Sequence, residues 1–175
     1  MSIESDLRRA NALLAANRRL QSATQALLAT QSLSELDRKL IDVLPGAVGF
    51  ERVALLSAPT EEEPARILHQ LGYPALHLGL LPKNSPLAPG GYLDGLRLGS
   101  EDDDDVPHGD VRGAYVLAAL RDGDRAGSLL YADTLREGVE PVDASSAVAY
   151  ALDVAAMVRA NLTLTAQLAA LARTD

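Results

Sequence analysis

Hydrophobic positions recur along this chain at two different periods, and the change of period divides it into elements. Residues 2–31 contain no Gly or Pro and are rich in Ala, Leu, Arg, Gln and Asn, which predicts a long N-terminal helix. Three rows repeat there every seven residues: Leu13, Leu20 and Leu27; Leu7, Leu14, Gln21 and Leu28; Ile3, Ala10, Asn17 and Thr24. A stripe this broad, with small Ala and a polar Asn17 in it, fits a helical bundle better than a two-stranded zipper. Ser34 reads as the N-cap of a second helix whose apolar face is Leu36, Leu40, Ile41 and Leu44, with Asp37 in its first turn and Pro45-Gly46 as its end. The period then shortens. Residues 51–58 and 65–71 read as strands of a hairpin across an exposed turn at Pro59 and Glu61 to Glu63.

Residues 72–113 are rich in Gly, Pro and short polar side chains and hold no sustained period, so loops are expected, with short elements near 76–81 and 92–98. Regularity returns at 114–120 and 126–132, two apolar runs joined by Arg121-Asp122-Gly123-Asp124-Arg125. Asp-Gly supplies the positive φ of a tight hairpin turn. A last helix opens at Pro141 and runs to about Ala172, with Val148, Leu152, Ala155, Val158 and Leu162 on one face and Leu164, Leu168 and Leu171 drifting round to another. These segments divide the chain into a dimerising helix (1–32), a central domain (33–160) and a C-terminal helical extension (161–175).

The pattern predicts an α+β fold rather than a doubly wound one, because the strands are few and mostly joined directly. The first and last helices are expected side by side on one face of an antiparallel sheet, with the 114–133 hairpin near its centre. Both helices outrun what one small sheet can cover. A homodimer through the terminal helices is therefore expected, with Leu13, Leu20 and Leu27 meeting Leu164, Leu168 and Leu171 in a four-helix arrangement.

Composition narrows the chemistry. The 175 residues carry 16 basic and 24 acidic side chains, a net charge of −8, which repels phosphate backbones and anionic headgroups. Aromatic residues are scarce (Phe50, five Tyr, no Trp), so base-stacking surfaces are not expected and neither nucleic acid nor membrane is an expected partner. No run of about 18 apolar residues and no signal-peptide pattern is evident, so the expected compartment is the cytoplasm. The chain has no Cys, which excludes disulfides, thiolate metal sites and cysteine nucleophiles.

The dinucleotide glycine fingerprint, the phosphate-binding P-loop, the metalloprotease His-Glu-x-x-His helix and the nucleophile-elbow serine are all absent, and His69, His77 and His108 are set too unevenly for a metal triad. The run Glu101 to Asp105, with His108 and Asp110 beyond it, gathers oxygen ligands for a divalent cation. Calcium-loop spacing fails there, because Val106 or Pro107 falls where a ligand or Gly is required. The expectation for 100–110 is a solvated, mobile loop that binds no metal tightly.

The C-terminal half resembles a GAF domain. The resemblance rests on Gly113 to Leu120, the Asp-Gly turn, the Gly-apolar-Leu-x-apolar strand (Gly127, Leu129, Leu130, Tyr131), and a helix running into Ala156-x-x-x-x-Asn161-Leu162. The N-terminal half agrees, with its amphipathic helix leading into Phe50-Glu51-Arg52-Val53-Ala54-Leu55-Leu56. The resemblance spans about residues 20–165 and implies a five- or six-stranded antiparallel sheet with helices on both sides.

It also implies a non-catalytic sensory or regulatory module with a small-molecule cleft. The cleft is expected beneath residues 72–113, lined from Leu68, His69, Tyr73, Tyr92, Tyr115, Leu117 and Tyr131, with a register slip of one residue exchanging the inward and outward sets. The Asn-Lys-Phe-Asp-Glu signature of cyclic-nucleotide GAF domains cannot be placed. Without Cys, covalent bilin attachment and the methionine-sulfoxide-reducing chemistry of this fold are not expected. Haem on a His ligand stays open and no cofactor is assigned. The alternatives are a ligand-free dimerisation scaffold and an enzyme on the same fold; a separate effector protein is the expected recipient of any signal.

Overall fold

The computed structural model describes residues 2–122 and 125–174. Three helices and five strands follow the chain in the order α1 (Ile3–Leu28), α2 (Leu33–Val48), β1 (Phe50–Ser57), β2 (Ile67–Leu71), β3 (Leu96–Ser100), β4 (Ala114–Asp122), β5 (Arg125–Leu135) and α3 (Pro141–Arg173). All sheet neighbours are antiparallel and the order is β2-β1-β5-β4-β3, so the β4–β5 hairpin occupies the centre as the pattern predicted. The expected Asp122-Gly123 turn involves residues 123 and 124, which lie outside the described residues.

Two element boundaries differ from expectation for local reasons. Ser32, not Ser34, caps α2: its Oγ accepts the Glu35 N–H at 3.1 Å, while the Glu35 carboxylate accepts the Gln31 N–H at 3.0 Å. This reciprocal pairing satisfies two orphan donors at once, which Ser34 cannot do. The helix also runs through Pro45 to Val48. Proline in the last turn forfeits one backbone bond, and burial of Leu44, Ala47 and Val48 against the core offsets it.

Strand alternation sorts the apolar residues into two layers. On one face Val53, Leu55, Val116, Ala118, Leu130 and Ala132 pack against Leu36, Leu40 and Leu44 of α2 and Val148, Ala151 and Ala155 of α3. Leu27 and Ala23 of α1 close this layer from outside. Among the described residues the three helices lie on this face, so the expectation of helices on both sides holds for one side only. The opposite face is covered by irregular chain: Ala54, Leu56, Tyr115, Leu117, Leu129 and Tyr131 pack under Ala65, Leu76 and Leu87.

By length and composition α3 is apolar enough to cross a membrane. Seven of its residues between Ala144 and Val158 are buried in the helix layer of this domain, and Arg159 on it pairs with Asp37 of α2 at 2.5 Å. That part of α3 is packed as a core helix, whereas the 18-residue apolar stretch as a whole is only 17% buried. Beyond the domain, residues 3–15 of α1 and 164–173 of α3 are exposed throughout; at 1.5 Å per residue these arms are about 20 and 15 Å long.

Candidate functional site

The face covered by irregular chain carries a buried polar cluster where β1, β5 and β4 lie side by side. Register places Arg52 directly opposite Asp133, Asp133 opposite Tyr115, and Tyr115 opposite Gly99. Arg52 and Asp133 are fully buried. The guanidinium grips the carboxylate with two bonds, Nε to Oδ1 at 2.7 Å and Nη2 to Oδ2 at 2.5 Å. Asp133 also accepts the Tyr131 hydroxyl at 2.7 Å, the Arg112 N–H at 3.2 Å and the Thr134 hydroxyl at 3.2 Å. Five donors thus converge on the two oxygens of this buried carboxylate.

The rest of Arg52 reaches the covering chain. Its Nη1 donates to Asp110 Oδ2 at 3.0 Å and its Nη2 to the Asp110 carbonyl at 2.7 Å. Asp110 in turn accepts the His77 N–H at 3.2 Å and the Arg112 guanidinium at 3.3–3.4 Å. One carboxylate thus ties residues 77 and 110–112 to the sheet. Gly72 directs the chain toward this point: its φ is +131°, and a Cβ there falls 2.5 Å from the Glu51 carbonyl oxygen, so a side chain is excluded where the backbone passes over β1.

Charge states follow from these contacts. Hydrogen bonds to Asp133, then the charge of Asp133 and the Asp110 contacts, outweigh burial and raise the Arg52 pKa. Burial pushes Asp110 toward its neutral form, yet the His77 N–H and the Arg52 guanidinium together hold it below the usual carboxylate range. Burial, reinforced by Asp133, drives the Tyr131 hydroxyl upward. His108 is lowered, chiefly by burial, against the pull of Asp133 and Asp110. Its Nδ1 accepts the Asp110 N–H at 3.1 Å, so the neutral ring carries its proton on Nε2.

Among the described residues two buried polar atoms in this layer lack a hydrogen-bond partner. His108 Nε2 and the Tyr115 hydroxyl are both buried without a bond of ordinary geometry, the Tyr115 hydroxyl lying beside the Arg97 guanidinium. The His108 ring meets Tyr131 edge-on at 4.7 Å between centroids, and Tyr115 stacks on Tyr131 at 6.2 Å. The Tyr115 ring lies across Gly99, where a Cβ falls 2.5 Å from its Cε1, Cζ and Oη atoms, so Gly99 makes room for it on β3. A buried donor left unmade costs about 1–3 kcal/mol.

Of the residues expected to line a cleft, Tyr115, Leu117 and Tyr131 come together, fully buried, in this layer. The other four do not join them. Leu68 and His69 lie exposed on edge strand β2, and Tyr73 and Tyr92 are 93% and 74% exposed in the covering chain. Arg52 and Asp133 were not among the residues expected to line the cleft, and His108 and Asp110, read in the sequence only with the acidic run, sit in this cluster. The acidic run also divides: residues 101–105 are exposed, whereas Val106 to His108 turn inward. Arg97 pairs with Asp105 at 2.7 Å and the Ser85 hydroxyl donates to the Pro107 carbonyl at 2.5 Å. The expected free loop is anchored at both points. A hollow of about 170 Å3 opens between residues 82–85 and 104–106, smaller than the ~300 Å3 of a drug-sized ligand site.

Solved structures share this overall fold. The GAF domain of a putative sensor histidine kinase from Pseudomonas syringae pv. tomato aligns over 97% of this chain and 99% of its own, with a TM-score of 0.57 and 16% identity. The chain has a GAF-like fold. The chromophore-binding domain of the Stigmatella aurantiaca bacteriophytochrome aligns over 84% of this chain, TM-score 0.59 and 15% identity; the chain spans 60% of that one. Free methionine-R-sulfoxide reductase from Neisseria meningitidis, solved with its substrate, aligns over 82% of this chain and 87% of its own, TM-score 0.56 and 14% identity. No family model and no curated protein matches the sequence. At these identities the shared property is the fold, which hosts both sensory and catalytic proteins.

Proposed function

We propose that this chain is a non-catalytic sensory or regulatory module that takes a small molecule in the layer between the sheet and residues 72–113, and that it works as a homodimer. The supporting observation is the pair of unpartnered atoms, His108 Nε2 and the Tyr115 hydroxyl, buried beneath a cover that one carboxylate ties to the sheet. Without cysteine, thiol chemistry is closed to it. A ligand that accepts from these atoms binds with the cover closed over it. Native mass spectrometry of the protein purified from its own host tests the reading: a retained, stoichiometric small molecule supports it, and a bare chain speaks against it. The second reading, a ligand-free dimerisation scaffold, draws support from the close packing of Ala54, Leu56, Leu117 and Leu129 in the same layer.

The dimer surface we infer differs from the row expected first. Leu27 is fully buried in the domain's own core and Leu20 is half-buried against it. On α1 Leu7, Leu14 and Leu28 share one exposed row with Gln21 between them, Leu13 of the first row staying exposed beside it, and on α3 Tyr150, Met157, Leu164 and Leu171 recur every seven residues with Leu168 also exposed. Seven-residue spacing keeps a seam facing one partner along a helix. Each exposed Leu contributes about 2 kcal/mol when fully buried, so a second copy covering these rows outweighs the entropy of association. Light scattering at tens of micromolar protein reads the outcome: a monomer there refutes the dimer.

A further inference from the structure

We propose that the Asp110 carboxylate is a built-in occupant of an anion cradle, and that the ligand of this layer is a small carboxylate that displaces it. The proposal rests on the sensory reading above and names its ligand class. Asp110 Oδ2 accepts from Arg52 Nη1 at 3.0 Å and from the His77 N–H at 3.2 Å; Oδ1 accepts from the Arg112 guanidinium. Two guanidinium groups and a backbone amide converging on one planar carboxylate form a recognition site for that shape and charge. The Asp133 carboxylate, by contrast, is sealed in the sheet with no exposure, whereas the Asp110 side chain is 22% exposed. Asp110 sits where a soluble carboxylate can reach.

Charge counting gives the same answer. Arg52 and Arg112 carry two positive charges, and Asp133 and Asp110 carry two negative ones, so the cluster is neutral as it stands. Moving the Asp110 side chain outward leaves one positive charge, and a buried guanidinium with an empty bond is costly. A monocarboxylate restores neutrality and the lost bonds. A carboxylate alone loses to Asp110, which is tethered and already oriented. A ligand whose body also accepts from His108 Nε2–H and the Tyr115 hydroxyl makes two buried hydrogen bonds that Asp110 cannot make. Because Asp110 also holds the His77 amide, its displacement passes that bond to the ligand, and the cover then reports occupancy.

The test uses the full chain labelled with 15N, as wild type, Asp110→Gly and Asp110→Asn. Each is titrated with sodium acetate, sodium phosphate or sodium chloride at equal ionic strength. Asp110→Gly empties the cradle and is expected to bind acetate saturably, with shifts at the His77 amide and at Arg52 and Arg112 Nε. Its affinity should exceed that of wild type by roughly 100-fold, the advantage a tethered, oriented carboxylate holds over a free one. Asp110→Asn keeps the cradle filled and uncharged, and should bind at least ~10-fold more weakly than Asp110→Gly, as loss of one charge-assisted bond implies.

Equal response to chloride, tighter binding of phosphate than acetate, or shifts that never saturate would overturn the proposal. So would Asp110→Asn binding acetate as tightly as Asp110→Gly. If Asp110→Gly is unfolded in chloride, refolding by acetate supports the cradle and failure to refold rejects it. The two readings separate cleanly. Acetate binding by Asp110→Gly beside a ligand-free native protein keeps the cradle and sinks the sensory function; an uncharged retained ligand with no acetate binding does the reverse.

Discussion

The buried pair Arg52–Asp133 offers a quantitative test of what holds the site together. Asp133→Ala removes two of the bonds to the Arg52 guanidinium and strands the Tyr131 hydroxyl and the Arg112 N–H. Breaking a buried pair costs about 3–5 kcal/mol, and Arg52 keeps Asp110, so the lower end applies. The two stranded donors add about 1 kcal/mol each at the low end of the usual range, for a loss near ~5 kcal/mol. Arg52→Met leaves Asp133 charged and buried but still bonded to Tyr131, Arg112 and Thr134, and its expected cost is about 3 kcal/mol.

The double variant removes both charges together. Only the stranded donors, the lost packing and the release of Asp110 remain, so its cost should be about 5 kcal/mol rather than the ~8 kcal/mol of the summed single losses. Urea unfolding at one fixed protein concentration measures all four proteins, because a self-associating chain gains stability with concentration. A coupling energy near ~3 kcal/mol is the expected result. Losses that add to within ~0.5 kcal/mol would show that the two residues do not act as a pair, and the account of the site would fall with them.

Three further outcomes are expected. His108 has its pKa lowered by burial, so as pH falls below about 6.5 the unfolded chain takes up the proton first and stability drops, with a slope of at most ~1.4 kcal/mol per pH unit until the folded value is reached. His108→Gln, with His69 and His77 still present, should lose that component of the slope between pH 6.5 and 5; unchanged profiles would show that His108 titrates as it does in the unfolded chain. Gly99→Ala sets a Cβ against the Tyr115 ring and should cost about 1–3 kcal/mol in urea unfolding, and an unchanged midpoint would mean the ring shifts freely. Leu7→Lys combined with Leu14→Lys should halve the mass seen in light scattering if α1 lies in the dimer seam, while a dimer of undiminished mass places the interface elsewhere.

Most of the fold was legible because it is written in periodicity. Seven- and four-residue spacing marks α1, α2 and α3, and alternation marks β1, β4 and β5, where one face meets helices and the other meets the cover. β3 was harder to read because Leu96-Arg97-Leu98-Gly99-Ser100 is short and half-buried on both faces, so its alternation carries little contrast. Residues 76–81 form no regular element, since Leu76 is anchored by the Gln70 side chain rather than by a backbone ladder.

The site was less legible for a reason of parity and one of boundaries. Arg52 falls in step with Ala54 and Leu56, and Asp133 with Tyr131 and Leu129, so each charge lies on the buried face of an otherwise apolar strand. That signal is present in the sequence, at the very end of the 114–133 hairpin. A charge that alternates with buried leucines must be paired to be buried at all, and its partner is most cheaply found one strand away at the same level. Arg52 and Asp133 meet that condition 81 residues apart. Asp110 was hidden differently: grouped by sequence with Glu101 to Asp105 it reads as one more solvated acid, yet it is separated from them by Pro107 and the buried His108. Its neighbours in space are two arginines, and those neighbours, not its neighbours in sequence, set its charge and its role.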